Sequence, residues 1–163
     1  MAEVIRLATL TDAPRILELT HRAYESIREL GLDFPAASAD LNMVENNINL
    51  NRCYILLIDN VIISTVSVAK AESVRKVIDY PYDFPFIWWF ATDPSYERKG
   101  IGGRLLDEVE AIIRRDLRAS AVTLATSTRH PWLIDMYKRR GYELVFESEK
   151  GERGSSVILK KNL

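Results

Sequence analysis

At 163 residues the chain has the size of one domain with a full core, and 47% apolar with 28% charged residues is an ordinary soluble globular composition. A net charge of −1 gives no global basic field for nucleic acid. A lone Cys53 excludes an internal disulfide or multi-cysteine metal centre, and two histidines argue against zinc. No apolar run approaches the ~20 residues of a membrane span. Residues 1–6 do not read as a signal peptide, so the expected compartment is the cytoplasm.

In chain order, Val4–Ala8 reads as a first strand. Thr11 or Asp12 caps a helix with Pro14 in its first turn. Its apolar stripe is Ile16, Leu19, Ala23, Tyr24, Ile27 and Leu30, Glu18 and Arg22 form an i,i+4 pair on the wet face, and Gly31 ends it. Residues 31–39 form a loop. Asp40 starts a second helix to about Asn49 or Asn51, although Asn46, Asn47, Asn49 and Asn51 make its end a poor helix former. Cys53–Ile58 and Val61–Val68 flank the Asp59-Asn60 turn as a β-hairpin, and Ala71–Pro85 reads as a long connection. Phe86–Thr92 is an aromatic-rich strand whose alternation places Trp88 and Trp89 on opposite faces. A helix over 100–117 follows, then a strand Ala121–Thr126. Pro131 opens a helix that runs to Arg140 and is closed by Gly141, and Tyr142–Glu147 and Ser155–Lys160 are two final strands.

The junction between strand 86–92 and helix 100–117 carries the chemistry. Glycines at 100, 102 and 103 sit where the first amides of a helix lack intrahelical acceptors at the positive end of its dipole, and Arg98, Lys99 and Arg104 add charge. That pattern predicts a phosphate or diphosphate cradle. It is not a P-loop, because Gly102 is followed by Gly103 and Arg104 rather than Lys and Ser or Thr. Nor is it the dinucleotide fingerprint, whose third glycine would fall at Leu105.

Gly100-Ile101-Gly102 followed by Leu105-Leu106, after the apolar strand ending Ala91-Thr92-Asp93-Pro94, resembles the R/Q-x-x-G-x-G/A loop of the GCN5-related N-acetyltransferases (GNAT). The order β-α-α-β-β-β-α-β-α-β-β matches that family along nearly the whole chain, most strongly over 86–142. The resemblance implies one α/β (α+β) domain over 1–163, with a mixed central sheet of about seven strands flanked by helices. It also implies acetyl-CoA as cosubstrate, bound by Phe90, Ala91, Thr92, Arg98, Lys99, Gly100, Ile101, Gly102, Gly103 and Arg104. The chain departs from the motif at its Arg/Gln position, which holds Glu97, a carboxylate that weakens diphosphate binding unless it turns outward.

Leu133–Tyr142 resembles the family's second signature, whose tyrosine faces the cofactor sulfur and maps to Tyr137. A phenol of pKa about 10 stays protonated at neutral pH and can protonate a leaving thiolate whose thiol has a pKa of about 8.5. The family's pantetheine-contacting Asn is His130 here, an imidazole that can also hydrogen-bond. An amide near Phe90 or Ala91 is expected to hold the oxyanion.

The acceptor is expected between loops 31–39 and 71–85, walled by Phe34, Tyr80, Tyr82 and Phe84, which are equally readable as loop-packing residues. No general base is identified; Glu72, Asp79, Asp83, Asp33 and Glu45 are open to a water relay. The expected function is acetyl-CoA-dependent transfer to a primary amine, without metal, nucleic acid or membrane, with a homodimer as the family's common assembly. The alternatives are a non-catalytic acyl-CoA-binding module and an interaction domain whose glycine turn is structural.

Overall fold

The computed structural model describes residues 2–25, 29, 38–96, 99–128, 130, 132–148 and 155–163. Its strands are β1 (Glu3–Leu7), β2 (Arg52–Ile58), β3 (Val61–Ala69), β4 (Phe86–Thr92), β5 (Ala121–Ser127), β6 (Glu143–Glu147) and β7 (Ser156–Asn162). The α-helices are α1 (Ala13–Ala23), α2 (Leu41–Leu50), α3 (Ala71–Arg75), α4 (Ile101–Arg115) and α5 (Leu133–Arg139). The strands form one mixed sheet in the order β1-β2-β3-β4-β5-β7-β6, in which only β4 and β5 run parallel. No helix among the described residues is long and apolar enough to cross a membrane.

Each helix lies where its apolar stripe finds a sheet face. Leu105, Leu106, Val109, Ile112 and Ile113 of α4 pack on Leu56, Val66, Val122 and Leu124 on one face. On the other, Ile16 and Leu19 of α1 and Val44 of α2 cover Cys53, Ile55 and Leu57. Cys53 is a buried core residue whose thiol pKa burial raises. The Asp59-Asn60 turn has positive φ at both residues (50° and 68°), the mirror-image turn that matches strand twist.

One expectation holds against propensity, two change, and one lies mostly outside the described residues. The Asn-rich helix forms fully: Asp40 accepts from the Met43 amide at 2.9 Å, and buried Asn47 donates to Ser67 Oγ at 2.8 Å, so tertiary bonding outweighs poor propensity. Arg22 leaves Glu18 for Asp93 at 2.9 Å, because a buried carboxylate attracts a cation more strongly than an exposed one; Glu18 pairs with Arg15 instead. The stretch 71–85 is not all connection, since it opens with α3. α1 ends at Ala23, and most of the expected continuation to Gly31 lies outside the described residues.

Trp88 and Trp89 share one face. Thr65 pairs with Ala91 and Ser67 with Trp88, so Trp89 and Phe90 together oppose Val66, a bulge with Trp89 at φ 56°. Trp88 stands opposite Ser67, which faces Asn47 of α2, and Trp89 donates its indole N–H to Thr20 Oγ1 of α1 at 3.0 Å. The extra residue resets the alternation.

Candidate active site

β4 and β5 pair only at Phe86↔Thr123 and Ile87↔Leu124. Beyond these, both strands continue without pairing to each other, leaving an opening between residues 88–92 and 125–127. The bulge faces one lip of this opening, and α4 starts at its end.

Gly100 is the N-cap of α4 with φ 73°, a left-handed conformation suited to glycine, and no side chain caps the helix. The amides of Ile101, Gly102 and Gly103 have no acceptor among the described residues; the first intrahelical bond is Arg104 N–H to Gly100 O at 3.0 Å. These are free donors at the positive helix end. Gly102 has a different part from clearing space for an anion: a Cβ there would lie 2.8 Å from Thr92 Oγ1 and 3.1 Å from Phe90 Cζ, so its absence lets α4 rest on β4.

The cations divide unequally. Arg104 binds both oxygens of Glu3 at 3.0 and 2.8 Å and donates to Lys99 O, so its charge is engaged at the sheet edge. Lys99 is exposed, with Nζ 5.5 Å from the Tyr96 ring centroid. Arg98, like Glu97, lies outside the described residues. Arg140, at the expected end of the helix before Gly141, is the C-cap of α5. Its Nη1 lies 3.4 Å from the position of a Gly103 Cβ, and it pairs with Asp107 one turn along α4.

Across the opening, Tyr137 of α5 is 6% exposed and stacks edge-on against Tyr142 at 5.6 Å. Its hydroxyl makes no hydrogen bond among the described residues, and burial raises its pKa, so it is a protonated donor. Tyr142 is fixed in turn by donating to buried Glu110 at 2.7 Å, which also accepts from Lys161 at 2.7 Å. From the opposite face, Tyr24 donates to the Phe90 carbonyl at 3.1 Å. Burial, and after it the neighbouring Tyr137, raises the Tyr24 pKa. Tyr24 carried no sequence signal beyond its place in an apolar stripe.

His130 is buried beside Trp132, ring centroids 4.5 Å apart, and burial lowers its pKa, keeping the imidazole neutral at pH 7. Ala91 is buried with its carbonyl accepting from Ser64, whose hydroxyl also lies 2.9 Å from that of Thr92. Ile101 points into the core beneath α4.

The expected acceptor wall is mostly packing. Tyr80 is 3% exposed, donates to Phe84 O at 3.0 Å and lies edge-on to Phe86, so it belongs to the core. Tyr82 donates to Val145 O at 2.9 Å, and Phe84 stacks on Tyr82 beneath Lys160. These rings anchor the connection onto β5, β6 and β7. Phe34 and Asp33 lie outside the described residues. Glu72, Asp79 and Asp83 are exposed, Asp83 pairs with Arg75, and Glu45 is half-buried on α2.

Five buried side-chain polar atoms lack a partner among the described residues, and four belong to residues around this opening: Trp88 Nε1, Thr126 Oγ1, His130 Nδ1 and Arg140 Nε. Orphaned buried polar groups are costly, and here they gather where a polar ligand would satisfy them. An extended amide- and diphosphate-bearing molecule such as coenzyme A fits the Thr126, His130 and Arg140 groups together with the free α4 amides, which leaves the Trp88 N–H for a second ligand. Two clefts, of about 280 Å³ beside Gly141 and Lys160 and about 410 Å³ beside Lys70 and Phe84, lie elsewhere on the surface.

The sequence profile of the acetyltransferase (GNAT) family matches residues 14–142. The chain is 46% identical over 159 residues, 97% of its own length and 94% of the relative's, to an S-(2-succino)cysteine N-acetyltransferase of Bacillus subtilis (strain 168). It is 45% identical over 150 residues, 91% of its length and 83% of the relative's, to an S-alkylcysteine N-acetyltransferase of the same organism. Its fold matches that of the PaiA N-acetyltransferase from Thermoplasma acidophilum, solved in complex with coenzyme A, with a TM-score of 0.75 at 16% identity over 100% of both chains.

Proposed function

Because this chain belongs to the GNAT family of acetyltransferases, we propose that it acetylates the α-amino group of an S-substituted cysteine. It is an acetyl-CoA-dependent N-acetyltransferase acting on a primary amine. The observation that carries the acceptor class is its identity, along nearly the whole chain, to two relatives named for thioether derivatives of cysteine. The α1–α2 face of the bulge supports this reading. Trp88, Trp89 and Tyr24 offer aromatic surface that suits a thioether sulfur, and the unpartnered Trp88 indole N–H suits a substrate carboxylate.

Acetyl-CoA supplies the activated acetyl thioester. In this reading the free amides of Ile101, Gly102 and Gly103 grip the diphosphate, with Lys99, Arg98 and Arg140 as flanking charge. The charge of Arg104 is tempered by Glu3. His130 and the backbone of Phe90, Ala91 and Thr92 line the pantetheine arm. A bulge amide holds the carbonyl oxygen while the neutral amine attacks the carbonyl carbon. The C–N bond forms, the C–S bond breaks, and Tyr137 gives its proton to the departing sulfur. None of the described carboxylates hydrogen-bonds residues 88–91, which favours water for removal of the ammonium proton.

We assign the whole chain, 1–163, to this one catalytic domain and the reaction to the cytoplasm, where acetyl-CoA is available and Cys53 stays reduced. A homodimer through exposed Leu144 and Val145 on edge strand β6 is the accompanying assembly, testable by light scattering.

The deciding experiment measures thiol release and N-acetyl product by mass spectrometry with S-(2-succino)cysteine, S-methylcysteine, lysine and spermidine. The S-substituted cysteines are expected to exceed the others in kcat/KM by roughly tenfold or more. Preference for spermidine or lysine overturns the acceptor class; coenzyme A binding without amine-dependent thiol release overturns the enzyme.

A further inference from the structure

We propose that Thr20 and Tyr24 are positioning residues that clamp the β4 bulge from α1 and thereby set which strand amides face the reacting thioester. The inference deepens the acetyltransferase reading and rests on it.

Two successive β4 residues are held by Thr20 of α1 and by Tyr24, the residue that caps α1 and bonds its amide to Thr20 O, hence on the same side of the helix end. Thr20, fully buried, accepts from Trp89 Nε1 at 3.0 Å, and Tyr24 donates to Phe90 O at 3.1 Å. Between them lies Trp89 at φ 56°, a conformation that bulky L residues rarely adopt and keep only where surroundings enforce it. On the far side, the Phe90 ring is trapped under Gly102 of α4. Phe90 is thus gripped by its carbonyl from one face and by its ring from the other.

The consequence follows from strand alternation. Were the bulge to relax into regular strand, the amides of residues 89–91 would turn over relative to β3 and the opening. The α4 amides are set instead by the Gly100 cap and the Gly102 seat, whereas the Thr20 and Tyr24 bonds go to β4. The clamp therefore governs turnover and leaves cofactor capture to α4.

Thr20→Val and Tyr24→Phe each remove one clamp bond, and Thr20→Ser keeps the hydroxyl. Kinetics, calorimetry with coenzyme A, thermal unfolding and hydrogen exchange of the peptide covering 86–92 are measured on the full chain. Roughly tenfold falls in kcat are expected for Thr20→Val and Tyr24→Phe, with KM and coenzyme A affinity within about twofold of wild type and Thr20→Ser near wild type. Exchange should quicken in 86–92 and stay unchanged in β1 and β7. Wild-type kcat in both variants overturns the clamp. So does lost kcat with unchanged exchange in 86–92, which marks direct chemistry, or exchange raised through the whole sheet, which marks general destabilisation. If the wild-type protein acetylates no amine, the acetyltransferase reading fails on its own, and the 86–92 exchange still decides the clamp.

Discussion

Gly102 rests so closely on Thr92 that a Cβ added to the glycine would lie 2.8 Å from the threonine Oγ1. The contact seats the first turn of α4 on the end of β4 and aims its free amides along the opening. Gly102→Ala would gain about 1 kcal/mol in helix propensity but drive a methyl into Thr92 and Phe90, an overpacking cost of about 1–3 kcal/mol. The expected result is weakened coenzyme A binding with a melting temperature no higher than wild type. Calorimetry and thermal unfolding check it; unchanged affinity would show that the cradle does not depend on this seat.

Tyr137 offers a protonated phenol, and Tyr137→Phe is expected to lower kcat by roughly 10²-fold while coenzyme A affinity holds. Burial raises its pKa above the usual value of about 10, so Tyr137 contributes no basic limb to the rate below that pH. Tyr24 and Tyr142 are raised as well, so the folded state holds more protons than the unfolded one above about pH 10. Stability from these groups is complete below that pH and lost as pH rises further. Tyrosinate absorbance should therefore appear together with alkaline unfolding.

Arg140, paired with Asp107, brings a guanidinium beside Gly103 at the start of α4 and is expected to add positive charge for the diphosphate. Arg140→Gln should weaken coenzyme A binding by roughly tenfold, the scale of one charge-assisted hydrogen bond, and leave acetyl-pantetheine turnover unchanged. Titration calorimetry with coenzyme A and kinetics with the truncated donor separate these effects. Equal loss with both donors would place Arg140 in folding rather than in binding.

Asp93 ties α1 to the loop before α4 by accepting from Arg15 at 2.8 Å, Arg22 at 2.9 Å and the Ser95 amide at 3.0 Å. Burial alone would raise its pKa, but the Ser95 amide and the two guanidinium groups outweigh it and the pKa falls. A carboxylate depressed in the folded state stabilises fully above its unfolded pKa of about 3.9, and that stability is lost as pH drops through the lower folded value. Asp93→Asn is expected to cost about 2–3 kcal/mol at pH 7 and to flatten the acid side of the stability profile. Urea unfolding between pH 2 and 7 is the check.

Sequence alone determined the strands, the main helices, the glycine junction and the tyrosine helix, because each is written in local terms. Strand runs, 3.6-residue stripes, Pro at helix starts and Gly at their ends act within a few residues of themselves. Local rules also led to an error where a distant partner intervened: Arg22 deserted Glu18 for a carboxylate seventy-one positions away. The helix expected from Asp40 forms, held in part by Asn47 as a buried anchor. Tertiary structure alone decided the bulge that swings Trp89 beside Trp88, the parting of β4 from β5, and the arrival of Tyr24 and Arg140 at the site. Each depends on which surfaces meet after the sheet assembles, and no spacing along one segment encodes what the facing segment brings.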